Sequence, residues 1–369
     1  MPILNFINQT NDPPEVGSVQ SYFPDGNDAQ IMESLLGDNN EWVSARAALR
    51  NSDLFSIILQ LSSDLAIVKI NAEKKKNQGI IDNPSTNANK HGFWQSMFAQ
   101  LLLGGEAFAY RWRNANGADM KWEYLRPSQV NTYYFEYENG MYYNITFDDP
   151  KIEPILQAPQ SDLIHMKLLS IDGGKTGISP LYSLRRESKI QRASDRLTIS
   201  SLNSSLNVPG VLTVKGGGLL SDKDKASRSR SFMKRSRSGG PVVLDDLEEF
   251  TALEIKSNVA QLLAQTDWTS KQYAKVYGLS DSFVGGQGDQ QSSIQMMTGQ
   301  YASALNRFLR PAISELEYKL SDHISVNMRP AIDPLGDNYL STISTATRWG
   351  ALAENQATFV LSLIHISEP

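Results

Sequence analysis

Apolar residues recur at steps of three and four along three stretches of this chain, the spacing that places them on one face of a helix. The first stretch runs from Trp42 to Ile67, and the second covers residues 93–103. The third carries one apolar stripe made of Ile294, Met297, Tyr301, Leu305, Phe308, Ala312, Leu316 and Leu320. Pro311 falls inside this stripe and lacks the N–H of a helical hydrogen bond, so we expect a kink near Phe308.

The pattern changes to strand-like alternation after Gly104 and Gly105. The strand candidates are residues 107–112, 122–125, 130–134 and 141–147. Residues 114–117 are a predicted hairpin-type turn after the first strand. Residues 74–90 contain three consecutive lysines and an Asn-Pro-Ser sequence, which predict a loop. The first third of the chain is therefore predicted to be an α+β domain, preceded by a loosely ordered arm over residues 1–40.

A basic helix is predicted beyond this domain. Ser179 can cap it, Pro180 can occupy its first turn, and it extends to about Asn203. Steps of four, three and four residues place four of its cations on one face, namely Arg185, Lys189, Arg192 and Arg196. This stripe has two interpretations, a solvated or subunit-pairing face and a contact with a polyanion.

Residues 206–256 have a bipolar charge pattern after a strand-like run at 208–214. A basic segment contains Lys225, Arg228, Arg230, Lys234, Arg235 and Arg237. An acidic segment follows with Asp245, Asp246, Glu248, Glu249 and Glu254. Opposite charges at two edges suit head-to-tail association of identical subunits, and simple surface charge is the alternative.

A polar, Gly-rich loop over residues 281–291 separates a helix predicted at 259–278 from the long apolar stripe. Its Gly285-Gly-Gln-Gly288 segment superficially resembles a phosphate-binding turn. It lacks the following Lys-Ser/Thr pair and the preceding strand that such a turn requires, so nucleotide binding is disfavoured. A mobile connection between two helices is the simpler interpretation.

Composition limits the remaining function classes. The 369 residues are 40% hydrophobic and 20% charged with a net charge of −5, which argues against coating nucleic acid over the whole surface. There are no cysteines, and the four histidines have no ligand at metal spacing, so we expect neither disulfides nor a metal site. No apolar run approaches about 20 residues and no signal peptide is evident, so we expect a soluble, cytoplasmic chain.

Catalytic patterns are missing too. There is no Gly-x-Ser-x-Gly turn, no His that a pattern joins to a Ser and an Asp, and no distinctive carboxylate pair. We therefore expect no enzymatic activity and no cofactor.

Several blocks, in order over residues 40–355, resemble the portal proteins of tailed bacteriophages, in particular the type common in siphovirus-like phages. The longest is residues 94–110, which is similar to the family's helix and glycine step into a strand. The others are Leu-Arg-Pro at 125–127, His165 with Asp172-Gly, Gly-Ile-Ser-Pro-Leu at 177–181, and residues 209–212, 243–248, 271–279, 309–311 and 349–355.

This resemblance implies an α+β portal fold with an α+β wing, a helical stem, a small α/β clip and a long kinked helix after a tunnel loop. Its segments would be a flexible arm at 1–40, the wing at 41–177, a stem helix at 178–205, the clip at 206–256, a second stem helix at 257–278, the tunnel loop at 279–291, the kinked helix with the return to the wing at 292–350, and a truncated crown remnant or non-native tail at 351–369.

The resemblance also implies a function, a ring channel at one capsid vertex for DNA packaging, head–tail joining and ejection. Its partners would be further copies in a ring of usually twelve, double-stranded DNA without sequence specificity, the terminase large subunit, the major capsid or scaffold protein and a head–tail adaptor, with no membrane. It would be assembled in the host bacterial cytoplasm and reside in the virion. The tunnel-loop candidates are Gly285, Gly286, Gln287, Gln290 and Gln291. The basic residues of the stem and clip would be Arg185, Lys189, Arg192, Arg196, Arg228, Arg230, Lys234, Arg235 and Arg237.

The end of the chain departs from the family pattern. Family members continue well past the segment at 349–355, so we expect the crown to be missing or vestigial, and residues 361–369 to come from a truncated or misassembled reading frame. Two other hypotheses stay open. One is another structural or adaptor ring of a phage particle, and the other is an enzyme that uses a Ser hydroxyl.

Overall fold

The computed structural model of the protein describes residues 48–135, 140–206, 210–214, 221–237, 248–252, 259–280, 294–334 and 336–366. Its helices and antiparallel sheets are largely segregated, with six strands in succession between Glu106 and Lys167, which confirms the predicted α+β class. The chain divides into two units, one formed by residues 1–185 with 271–369 and the other by residues 186–270. Among the described residues, no helix has both the length and the apolar character that crossing a membrane requires.

The first unit begins with three helices, α1 (Ser52–Ile67), α2 (Lys75–Asp82) and α3 (Lys90–Gly104). The Asn51 side chain caps α1 by accepting the N–H groups of Asp53 and Leu54. The periodic positions of the first predicted stretch that the structure describes lie in α1 and are buried, except the exposed Ile67 at its end, and α1 packs on α3. Residues 42–47 lie outside the described residues.

The loop predicted at 74–90 is wrong over much of its length, because α2 occupies Lys75–Asp82. This short helix is mostly polar but buries Ile80 and Ile81, and the Trp94 Nε1–H of α3 donates to the Ile81 carbonyl at 3.2 Å. Two adjacent apolar residues are too few to show a helical period. The prediction therefore rested on the lysine run, which is typical of a loop.

The strands of this unit form three antiparallel sheets. The strands are β1 (Lys69–Ala72), β2 (Glu106–Arg113), β3 (Asp119–Leu125), β4 (Val130–Phe135), β5 (Gly140–Ile145), β6 (Ile155–Pro159), β7 (Leu163–Lys167) and, later in the chain, β10 (Ile324–Asn327). Their orders are β3-β2-β7, β4-β5-β6 and β1-β10. The predicted strands are thus present, but β3 and β4 lie in different sheets, so they do not form one meander.

The sheet β3-β2-β7 is buried on both faces. Ala107 and Ala109 of β2 lie in the large core with the helices, whereas Phe108 lies in a second core with the sheet β4-β5-β6. Successive side chains of a strand point to opposite faces, so one strand can contribute to two cores. The sheet β3-β2-β7 therefore lies between the helices and the sheet β4-β5-β6.

Two glycines bring the start of β2 against the segment that precedes the next helix. Gly105 ends α3 in the left-handed conformation at φ +75°, and a Cβ there would lie 2.3 Å from the Ile178 carbonyl oxygen. A Cβ at Gly177 would lie 2.3 Å from the Gly105 carbonyl oxygen. Only glycine at both positions permits this backbone approach. We call it the glycine crossing.

The Ser179 side chain makes two hydrogen bonds next to the glycine crossing. Its hydroxyl donates to the Leu103 carbonyl at 2.5 Å and accepts the Leu181 N–H at 3.1 Å, capping α4 (Pro180–Ser183) as predicted. The helix predicted from Pro180 to about Asn203 is observed as two helices, since the backbone at Leu184 separates α4 from α5 (Arg185–Leu206).

The second unit contains α5 from Arg186 onward, β8 (Gly210–Val214), α6 (Asp222–Arg237), β9 (Glu248–Ala252) and the first part of α7 (Val259–Val276). β8 pairs antiparallel with β9. Sequence analysis assigned only charge to the stretch that forms α6. Its N-terminus carries Ser221, whose hydroxyl accepts the Asp224 N–H, and two acidic residues in the first turn, which favour a helix without any apolar stripe.

The long helix α8 (Ile294–Leu320) returns to the first unit and packs against α1, α3 and β7. The predicted apolar stripe is buried from Tyr301 onward, and the Tyr301 hydroxyl donates to Asp64 of α1. Pro311 lies inside one continuous helix. The kink stays a prediction.

Three helices end the chain, α9 (Arg329–Ile332), α10 (Asp337–Arg348) and α11 (Glu354–Ile366). They place the exposed side chains of Leu340, Trp349 and Phe359 on or between α10 and α11. The predicted division at 351 falls just before α11.

We expect Gly177→Ala to lower the free energy of unfolding by about 3 kcal/mol, because its methyl group would overlap the Gly105 carbonyl. The control is Gly299→Ala in α8, where a Cβ meets nothing within 4 Å and should stabilise the protein by about 1 kcal/mol. Urea unfolding measures both. Equal stabilities of the two variants would contradict the close approach.

Candidate channel and assembly elements

The predicted stem cations lie on α5. Lys189, Arg192 and Arg196 are exposed, while Arg185 is half-buried with its guanidinium 4.0 Å from the Tyr182 ring centre. Their spacing keeps the four positions on one side of the helix over about 16 Å. The structure therefore brings the stem positions together, with one of the four engaged by an aromatic ring.

The helix α5 also exposes apolar side chains. Leu197 is 56% and Ile199 is 58% accessible to solvent. Ile199 lies beside the cations, whereas Leu197 lies about 160° from it around the helix, so α5 exposes apolar side chains on two sides that another protein could bury.

The clip cations lie on α6, where Arg228, Arg230 and Lys234 are exposed. Arg235 and Arg237 belong to the same helix, but their side chains are outside the described residues. At about 100° per residue, positions 230, 234 and 237 share one side of the helix, and positions 228 and 235 share the opposite side. The helix thus divides the basic segment between two faces. On β9, Glu249 is exposed.

The tunnel-loop candidates Gly285, Gly286, Gln287, Gln290 and Gln291 lie outside the described residues. Both chain ends that flank this loop pack in the first unit. The Tyr277 hydroxyl donates to the Leu102 carbonyl at 3.1 Å, and Gly278 at φ +72° approaches Arg307 of α8. The helix that follows, α8, becomes buried from Tyr301 onward.

A buried polar cluster lies where α8 meets β7, and sequence analysis did not find it. His165 of β7 is 1% exposed. Its Nε2 lies 3.2 Å from Glu106 Oε1, its Nδ1 lies 3.1 Å from the Tyr143 hydroxyl, and its backbone N–H donates to Glu315 Oε1 at 2.9 Å. In the sequence, His165 stands out only as part of a segment that resembles portal proteins, because its partners are 22 to 150 residues distant along the chain.

Burial sets the protonation of this cluster. It lowers the pKa of His165, although the hydrogen bond and charge of Glu106 act in the opposite direction, and it raises the pKa of Tyr143. A neutral His165 satisfies every partner when Nε2–H donates to Glu106 and Nδ1 accepts the Tyr143 O–H. This tautomer is assigned from the hydrogen-bond partners.

Lys319 extends the cluster along α8. Its ammonium lies 3.4 Å from Glu315 Oε1 and donates to the Gln160 carbonyl at 2.5 Å. Burial lowers the pKa of Lys319, and Glu315 opposes that shift. His165, Glu106 and Lys319 are buried, and Glu315 is half-buried beside them.

A second well-connected carboxylate fixes the loop before α4. Burial would raise the pKa of Asp172, but hydrogen bonds from Ser170, Thr176 and the Lys175 backbone lower it to about 2. Gly173 and Gly174 adopt positive φ in the same turn. The Asp172-Gly block of the family resemblance is thus a tight, hydrogen-bonded turn.

No group of three or more His, Cys, Asp or Glu residues suited to a metal ion occurs within the part of the chain that the structure describes.

A family model described as "Phage portal protein" matches residues 59–360. The chain belongs to the phage portal protein family. This confirms the resemblance inferred from the sequence. The portal family is structural, which fits the expectation of a protein that is not an enzyme.

Solved structures share the portal fold at low identity. The neck of a native gene transfer agent (GTA) particle, computed with C12 symmetry, is 14% identical with a TM-score of 0.63, and the match covers 94% of this chain and 96% of that one. A chain of the native GTA virion is 14% identical with a TM-score of 0.61, covering 88% and 95%. An HK97-family phage portal protein from Corynebacterium diphtheriae is 12% identical with a TM-score of 0.55, covering 78% and 96%. No curated protein sequence matches the chain.

We predict that stability falls by about 1 kcal/mol between pH 7 and pH 5.5 because of His165. Its pKa in the fold is below that of an unfolded His, about 6.5, so the unfolded chain takes up the proton first. The charged groups that act on the ring are Glu106, Glu315 and Lys167.

Urea unfolding of the portal chain at several pH values measures this effect. His165→Gln should remove that part of the pH dependence, and His91→Gln, at an exposed position, should leave it unchanged. An unaltered pH dependence in His165→Gln would show that the imidazole is not held neutral.

Proposed function

We propose that the protein is the subunit of a portal ring, a channel at one capsid vertex for DNA packaging, head–tail joining and DNA ejection. The observation that supports this most is family membership over residues 59–360. The fold likeness to a C12-symmetric particle neck over 94% of this chain and 96% of that one agrees with it. The subunit would act within the virion after assembly in the host cytoplasm.

The DNA-handling parts would be the exposed stem cations on α5 and the loop at 279–291. Three exposed cations on one helix face can attract phosphates without reading sequence. A net charge of −5 keeps the overall attraction low, which suits a duplex that must slide. We expect weak, sequence-independent contacts, with glycines 285 and 286 giving the loop its freedom.

A closed ring needs a heterologous interface, in which two different surfaces of the subunit meet. The exposed apolar residues of α5, Leu197 and Ile199, would supply buried area between neighbours. The basic side of α6 and the acidic strand β9 would meet head to tail and set the orientation. The terminase large subunit, the capsid or scaffold protein and a head–tail adaptor would bind the ring.

The full chain should assemble into a ring of about twelve subunits, each of 41.0 kDa, alone or with scaffold protein. Multi-angle light scattering gives the mass, and negative-stain images show the ring. A particle that stays at the subunit mass under all these conditions would contradict the proposal.

The charge-reversal variant Arg230→Glu with Lys234→Glu tests the head-to-tail contact. It should abolish assembly, and adding Glu248→Lys with Glu249→Lys should restore it. The control reverses two exposed lysines of the first unit, Lys75→Glu with Lys76→Glu, and should assemble normally. Normal rings from the first variant would remove α6 from the interface.

Deletion of residues 285–290 should leave folding and ring assembly intact and impair DNA packaging into proheads. The control replaces the same six residues by a Gly-Ser segment of equal length, which keeps the reach of the loop but not its glutamines. Packaging is measured as the amount of protected DNA, and comparing the two variants separates the role of the loop's reach from the role of its glutamines. Unchanged packaging in the deletion variant would rule out a role for the loop.

A further inference from the structure

One continuous series of buried polar contacts connects α8 to the backbone just before α4. Its members are Lys319, Glu315, His165, Glu106 and the N–H of Gly177, and we call it the buried polar chain. All of them belong to the first unit. Its contacts span up to 150 residues of the sequence, between His165 and Glu315.

At one end of the buried polar chain, Glu315 contacts β7 from a position on α8 one turn after Pro311. Glu315 Oε1 accepts the His165 backbone N–H at 2.9 Å and lies 3.4 Å from the Lys319 ammonium. β7 is an edge strand of its sheet, so this N–H has no neighbouring strand to donate to. A helix side chain therefore takes the place of the missing strand.

The other end holds the segment that leads into the stem. Glu106 Oε1 is 3.2 Å from His165 Nε2 and accepts the Gly177 N–H at 2.6 Å. Gly177 stands at the glycine crossing, where no side chain fits between the two backbones. Its N–H cannot move away from Glu106 without opening that contact.

The chemistry of the chain favours a geometric role. Glu106 makes both contacts through one oxygen, while its other oxygen, Oε2, is buried with no hydrogen-bond partner. Two carboxylates and an ammonium in a protein interior add little stability compared with well-packed apolar residues. Their directional hydrogen bonds fix positions that apolar packing alone would leave adjustable.

We infer that Glu315 and Glu106, acting through His165, are positioning residues that hold the helix after the tunnel loop and the base of the stem as one rigid element. Displacement of α8 by DNA passing the loop would then reach residues 177–184 through hydrogen bonds. The names tunnel loop and stem rest on the proposed function, whereas the linkage itself does not.

Hydrogen–deuterium exchange of the full chain tests the linkage. In Glu315→Ala, amides of residues 177–184 should exchange at least tenfold faster than in the wild type, although the polar contacts of Glu315 are made to His165 and Lys319 and not to these residues. The matched control is Glu317→Ala on the same helix. Glu317 instead accepts the Ile324 N–H at 3.0 Å, so its effect should be confined to residues 322–326.

Faster exchange confined to 163–167 and 311–320 in Glu315→Ala would overturn the inference, because it would show a local contact only. Glu315→Ala can misfold, since it leaves the buried Lys319 ammonium without its counter-charge. The variant Glu315→Ala with Lys319→Met removes both charges and answers the same question. The reciprocal variant, Glu106→Ala, should accelerate exchange at residues 311–320, and an unchanged rate there would equally contradict the linkage.

A failure of the proposed function can be distinguished from a failure of this linkage. Wild-type protein that never forms a ring would contradict the portal role, yet the exchange rates at 177–184 would still decide the linkage. Rings of Glu315→Ala that assemble normally and package DNA more slowly than rings of Glu317→Ala would support both.

Discussion

The glycine crossing is the constraint on which the rest of the first unit depends. Gly105 and Gly177 let the end of α3 and the approach to α4 share a space that a single methyl group would fill. The same few residues start β2, receive the Leu168 N–H and carry the Ser179 contact to Leu103. The end of α3, the start of the central sheet and the start of α4 are therefore all fixed within one small volume.

The central sheet extends that constraint through the unit. Because β2 is buried on both faces, its position fixes the helical core on one side and the second sheet on the other. The buried polar chain then adds α8 to the same frame.

Much of this could be predicted from sequence because the decisive signals are local. The apolar periods of α1, α3 and α8, the Ser179 cap and the ordered family blocks all lie within short windows. What the sequence could not show depends on distant partners or on polar helices. Glu106 and Glu315 meet only in the fold, α2 buries just two isoleucines, and α6 has no apolar stripe for a period to reveal.

The first unit is discontinuous, since residues 186–270 interrupt it. Leu54 and Trp94 share a core with Tyr273, Leu305 and Leu316. During synthesis, the apolar faces made first must wait for about 180 further residues before their partners leave the ribosome. Folding of this subunit is consequently a late event, and the long-range closure of α8 onto its nascent core is the step at which chaperones would matter most.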